Sequence, residues 1–87
     1  MAHYVVKYQL NNQKDYPQLW AEMEALGAHK AMRSFYLLDY GGSARQLANH
    51  LIPFIDADDM LFVAALDTRP ASHKCYQGTA DWISARF

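Results

Sequence analysis

Hydrophobic and polar positions alternate most cleanly over residues 3–12, read HYVVKYQLNN. Tyr4, Val6, Tyr8 and Leu10 point one way, and His3, Val5, Lys7 and Gln9 the other. A period of two predicts a half-buried β-strand. Its apolar face can pack on helices. Its second face is mixed and ends at Gln9, where the strand runs into the polar turn Asn11-Asn12-Gln13-Lys14. The spacing then changes to three and four. Tyr16, Leu19, Trp20, Met23 and Leu26 form the stripe of a core-facing helix. Asp15 stands at its start with Gln18 three residues on, a capping-box pattern. Pro17 is tolerated in a first turn, whose amides lack partners anyway. Gly27 supplies the C-terminal stop.

Residues 28–40 are too mixed for another helix. They predict a short strand over 28–32, a bend near Arg33, and a longer strand over 34–40 rich in strand formers. Gly41-Gly42 breaks it. Ser43 caps a second helix, with Gln46 at the capping-box position, and Ala44, Leu47, Ala48 and Leu51 make its stripe. Pro53 limits the regularity of its last turn. Asp56-Ala57-Asp58-Asp59 is a turn. Residues 60–66 are almost continuously apolar, which predicts a strand inside the sheet. Residues 67–77 read as loop, with a short edge strand expected over 74–77. Thr79 opens a terminal helix carrying Trp82 and Ile83, with Phe87 at its end.

Two strand-helix-strand units sharing one sheet give an α+β, ferredoxin-like βαββαβ sandwich. It has a four-stranded antiparallel sheet with two helices on one face, plus a short C-terminal element. On this reading the other face of the sheet is open, the natural place for a partner subunit.

Composition narrows the class. Eighty-seven residues make one domain spanning residues 1–87. A chain this short buries only about 60–65% of its unfolded surface, so self-association would help it. The aromatic share of 14% is high for such a core and leads us to expect some rings at an interface. A net charge of −1 and a pI near 6.4 exclude bulk electrostatic attraction of nucleic acid. Any such binding must use a local patch. The single Cys75 allows no intrachain disulfide. No apolar run approaches a membrane span and no signal-peptide layout opens the chain, so a cytoplasmic protein is expected.

Many functions use this fold, so a site must decide. The chain lacks the CxxC of a metallochaperone, the Gly-rich aromatic strand of an RNA-recognition motif, and a phosphate-loop signature. His73 and Cys75, two apart, are a slender zinc hint against the plainer reading of an exposed loop. Asp56, Asp58 and Asp59 resemble three positions of a calcium loop but lack its glycine and distal glutamate. Lys7, Lys14, Lys30, Arg33 and Arg45 are the candidate nucleic-acid contacts, provided that they converge. Otherwise they are ordinary surface charge.

The ordered set HYVVKYQLNN, DYPQLW, the LG closing the first helix, RSFYLL, the Ser-Ala-x-x-Leu helix start, DADDMLFV and the late DW resembles the SinR-like proteins. These are small relatives of the CRISPR-associated adaptation endonuclease subunit and of the VapD ribonucleases. The resemblance covers almost the whole chain and implies a ferredoxin-like homodimer. In active relatives it implies an aspartate ending strand one after a Tyr. Two copies of it hold a divalent metal that helps water attack a phosphodiester. The matching position here is Gln9, after Tyr8. A neutral amide cannot neutralise magnesium as a carboxylate does. Arg33-Ser34-Phe35 matches the family's polar-Ser-aromatic segment.

The leading expectation is therefore a catalytically silent homodimer that binds nucleic acid or protein, with no cofactor and no metal. One alternative is a magnesium- or manganese-dependent endoribonuclease with a relocated ligand. Gln9, Asn11, Asp15, Arg33 and Ser34 are then the candidate catalytic residues. A second alternative is a pure protein-interaction module of a toxin–antitoxin or phage-defence system. Residues 74–77 are the expected exchanged edge of the dimer.

Overall fold

The computed structural model describes residues 1–10 and 16–87. Strands β1 (Ala2–Gln9), β2 (His29–Met32), β3 (Phe35–Tyr40) and β4 (Met60–Ala65) form one antiparallel sheet in the order β2-β3-β1-β4. Helices α1 (Pro17–Ala25) and α2 (Ala44–Leu51) follow β1 and β3, and helix α3 (Thr79–Arg86) ends the chain. This is the expected ferredoxin-like α+β arrangement.

The alternation of β1 survives folding intact. Tyr4, Val6 and Tyr8 are buried against Leu19 and Met23 of α1, Leu47 and Leu51 of α2, and Tyr36 and Leu38 of β3. Burying such side chains stabilises by roughly 1.5–3 kcal/mol each. Hydroxyls within this core find partners. Trp20 Nε1 donates to the Tyr8 hydroxyl at 2.9 Å, and the Tyr4 hydroxyl donates to the Gly42 carbonyl. The Tyr36 phenol is pushed above the ordinary tyrosine range, by burial first and then by its hydrogen bond to Tyr8.

The helix ends follow local chemistry, with one correction. Helix α2 carries the predicted capping box. The Gln46 backbone N–H donates to Ser43 Oγ at 3.1 Å, and the Ser43 N–H donates to Gln46 Oε1 at 2.7 Å. A Cβ at Gly42 would fall 2.9 Å from the Tyr40 ring and closer still to the Gln46 side chain, so the ring and the capping glutamine would have to shift. Pro53 falls in a 3₁₀ turn, Ile52–Phe54, that ends the second helical segment. Helix α1 closes on Gly27 in a left-handed conformation (φ 72°). The Gly27 N–H bonds the Glu24 carbonyl at 2.9 Å and the Ala28 N–H bonds Met23 at 3.0 Å, a Schellman arrangement. Its start differs from expectation. The N-cap is Tyr16, which makes no side-chain cap bond. The predicted cap Asp15 lies outside the described residues, as do Asn11 and Lys14.

Three further expectations are corrected. Strand β4 is an edge strand, not an interior one. The apolar run does not mean that both faces are covered, since Met60 and Phe62 on one face are exposed. Nor does it report whether both edges are paired, and β1 already has β3 on its other side. Residues 74–77 form no strand; only the Tyr76 N–H reaches the β2 edge, donating to the Ala31 carbonyl at 2.8 Å. Finally, the second face of the sheet is not open throughout. Trp82 and Ile83 of α3 are buried there with Ala31 and Leu37, flanked by Val5, Phe35, Leu66 and Phe87.

Helix α3 is held down at both ends. Near its start, His29 Nε2 and Thr79 Oγ1 lie 2.8 Å apart, and Thr79 Oγ1 donates to the Tyr76 carbonyl at 2.8 Å. With its proton committed, the threonine oxygen accepts from the histidine N–H. Near its end, Arg86 Nε donates to both Asp39 carboxylate oxygens at 2.9 and 3.0 Å. Arg86 Nη1 bonds the Trp82 carbonyl at 3.1 Å, and the guanidinium lies 4.1 Å from the Trp82 ring centroid. His3 Nδ1 joins Asp39 at 2.6 Å. Burial pushes the Asp39 carboxyl upward. The hydrogen bonds and charges of His3 and Arg86 outweigh that and leave it below its ordinary value.

Candidate binding surface at the end of the first strand

Because α3 covers only part of the second face, the sheet stays uncovered where β1 ends. The antiparallel register sets a row there: Met32 on β2, Phe35 on β3, Lys7 on β1 and Phe62 on β4. The next pair outward is Gln9 and Met60. Met32, Met60 and Phe62 are 42%, 59% and 66% exposed. Exposed large apolar side chains gathered in one place mark contact surfaces more often than singletons do.

Lys7 stands between two phenyl-bearing positions, and its Nζ lies 3.5 Å from the Arg33 carbonyl. Arg33 and Ser34 form the β2–β3 turn. Ser34 adopts φ 56°, a left-handed conformation, and its carbonyl accepts from the Tyr8 N–H at 3.1 Å. The turn is thus tied to β1 just before Gln9. Lys7, Arg33, Ser34 and Gln9 are brought to one end of the sheet.

The other candidates are placed elsewhere. Lys30 pairs with Tyr36, on the outer strand β2. Arg45 lies on α2, beside Leu61, Phe62 and Val63 of the opposite edge strand. The five expected cations therefore do not form one patch. Lys7 reaches the backbone of Arg33, Lys30 and Arg45 sit toward opposite edges, and Lys14 is outside the described residues. Sequence spacing did not reveal this, since convergence depends on strand order.

The hollow at the strand end is lined by Lys7, Tyr8, Gln9, Met60, Leu61 and Phe62. A magnesium or manganese site needs hard anionic oxygens. Here the side-chain oxygen offered on this face is the neutral amide of Gln9, beside a lysine ammonium that repels a cation, while the Tyr8 phenol is turned into the core on the other face. These residues do not fit a divalent metal. The carboxylates of Asp56, Asp58 and Asp59 lie in the turn before β4, with ligating atoms within 4.8 Å of one another. Two of them have visible structural work. Asp56 accepts the Tyr16 hydroxyl at 2.9 Å, and Asp59 accepts the Asp56 N–H at 2.8 Å. Tyr16 is pushed up to about 12, by lost solvation first and then by Asp56 and Asp59. Among the described residues, His73 and Cys75 fall in no cluster of three or more ligating groups. No described helix is long and apolar enough to cross a membrane. No family model matches the chain.

Sequence reasoning missed the Asp39–Arg86–His3 cluster, in which Asp39 lies 36 residues from His3 and 47 from Arg86. Late Arg86 after Trp82 at a four-residue helical spacing was the one available hint.

Proposed function

We propose that this protein is a catalytically silent homodimer, related to the small CRISPR-associated and VapD-type nucleases. It acts by binding single-stranded nucleic acid at the uncovered end of its sheet. The observation that carries this reading is the pairing of Gln9, Lys7 and Phe62 at the strand-one terminus. The position where an active relative would hold a metal offers an amide near the Lys7 ammonium, with an exposed ring and the Arg33 turn nearby. Aromatic faces stack bases and cations hold phosphates, and the two together suit single strands. The exposed Met60 at the β4 edge leaves room for a second copy of the chain beside the ring.

Retention of a single-stranded RNA is the test. Binding should fall steeply as salt rises, because each phosphate contact releases counterions. Lys7→Ala and Arg33→Ala should each weaken it and flatten that dependence. Salt-insensitive retention, or none, would favour a protein-interaction module instead. For catalysis, purified wild type should leave RNA intact in magnesium or manganese. Wild-type cleavage abolished by Asp15→Ala or Arg33→Ala would establish the relocated-ligand ribonuclease. Gln9→Asp restores the carboxylate, and metal-dependent cleavage gained only in that variant would support the silent reading.

A further inference from the structure

Between the sheet, α3 and the 66–79 segment lies a cavity of about 210 Å³. Its walls are nearly all carbon: Val5, Phe35, Leu37 and Ile83 form the floor, and Pro70 and Ala71 form one side. Thr79 also lines it, but its hydroxyl is already engaged by His29 and Tyr76. Among the described lining residues Lys7 is the single charged one, and it is exposed. Cys75, half-buried, contributes a thiol to the wall. A cavity of about 150 Å³ lined by aliphatic and aromatic side chains stays dry and takes up benzene. This one is large enough for a single ring with a short substituent. It is partly open to solvent, and Lys7, whose ammonium lies 3.5 Å from the Arg33 carbonyl, is among its lining residues.

We propose that this cavity binds a small aryl carboxylate, its ring against Val5, Leu37 and Ile83 and its anion on the Lys7 ammonium. The charge decides the ligand class. Lys7 is the one charged side chain among the described lining residues, so a ligand that joins an apolar body to an anion complements both the carbon wall and that charge. A larger polar ligand would strand its polar groups against carbon, where unpaired polar groups are costly. The proposal goes beyond nucleic-acid binding but adjoins that surface, since Met32, Phe35, Lys7 and Phe62 line the cavity as well.

Phenylacetate and the neutral phenylacetamide are the probes, titrated into isotope-labelled full-length protein and followed by two-dimensional amide and methyl NMR. Phenylacetate should give saturable shifts at Val5, Ala31, Leu37 and Ile83. It should also slow alkylation of Cys75 by iodoacetamide, and bind at least tenfold tighter than phenylacetamide. Lys7→Met should remove that preference while both probes still bind. Ala71→Trp, at an exposed position on the wall, should fill the cavity and abolish both without disturbing the core. Equal affinity for the two probes in wild type, a preference that survives Lys7→Met, shifts mapping elsewhere, or no saturation at millimolar probe would each overturn the proposal. RNA retention, measured separately, leaves these outcomes unaffected.

Discussion

Replacing Arg86 with methionine should loosen α3 from the sheet and remove much of the acid sensitivity of that docking. The substitution keeps an apolar stem over Trp82 but deletes three polar links: two hydrogen bonds to Asp39 and one to the Trp82 carbonyl. Hydrogen bonds to charged groups contribute roughly 1.5–3 kcal/mol when shielded. Arg86 and Asp39 side chains are 26% and 29% exposed, so solvent screening reduces this to about 1 kcal/mol. The guanidinium over the indole adds about 0.5–1 kcal/mol. The expected loss is therefore about 1–2 kcal/mol. In a domain of this size each kcal/mol shifts Tm by about 4–8 °C. Because the Asp39 carboxyl is held below its ordinary value in the folded state, its contribution is complete above the usual carboxylate range. It is lost as pH falls through the lowered folded value. Wild type should accordingly lose stability over that acid window, and Arg86→Met should lose less, being already without the partner. Urea denaturation between neutral pH and pH about 3, with amide hydrogen exchange along α3, measures both quantities. A neutral-pH loss within error of zero, or an undiminished acid slope in the variant, would refute the assignment of this pair as the clasp of α3.

Three other perturbations follow from local geometry. Ser43→Ala removes the side-chain half of the capping box and should cost about 1 kcal/mol in chemical denaturation. Ser34→Gly relieves a left-handed backbone at φ 56° and should stabilise by up to about 1 kcal/mol, since a side chain there costs roughly 1–2 kcal/mol. A loss of stability in this variant would show that the serine side chain matters more than its backbone. Phe62→Ser changes a 66% exposed ring outside the core and should leave the melting midpoint of the monomer nearly unchanged. The same variant should shift sedimentation toward monomer if the β4 edge meets a second copy.

Much of the architecture can be read along the chain because it rests on local periodicity and local caps. The alternation over β1, the stripe Leu19–Met23 of α1, the Ser43–Gln46 box and the Gly27 stop all act within a few residues of themselves. Each element therefore announces its type. The cores confirm the faces: Tyr4, Val6 and Tyr8 lie on one side of the sheet, and Trp82 and Ile83 on the other.

What the sequence could not supply is lateral position. The apolar run of β4 reads the same at an edge as in the middle, because hydrophobicity is silent about hydrogen-bonded flanks and did not mark Met60 and Phe62 as the exposed side. The five cations could be counted but not gathered, since Lys30 and Arg45 are parted by the full width of the sheet. Nor does any local pattern say that α3 folds back over Leu37, leaving Lys7, Gln9 and Phe62 exposed at the strand end. The residues by themselves determined that Gln9 ends a strand as an amide. Only the tertiary structure set an ammonium and two exposed apolar side chains beside it, because pairing across strands joins residues that chain distance keeps apart.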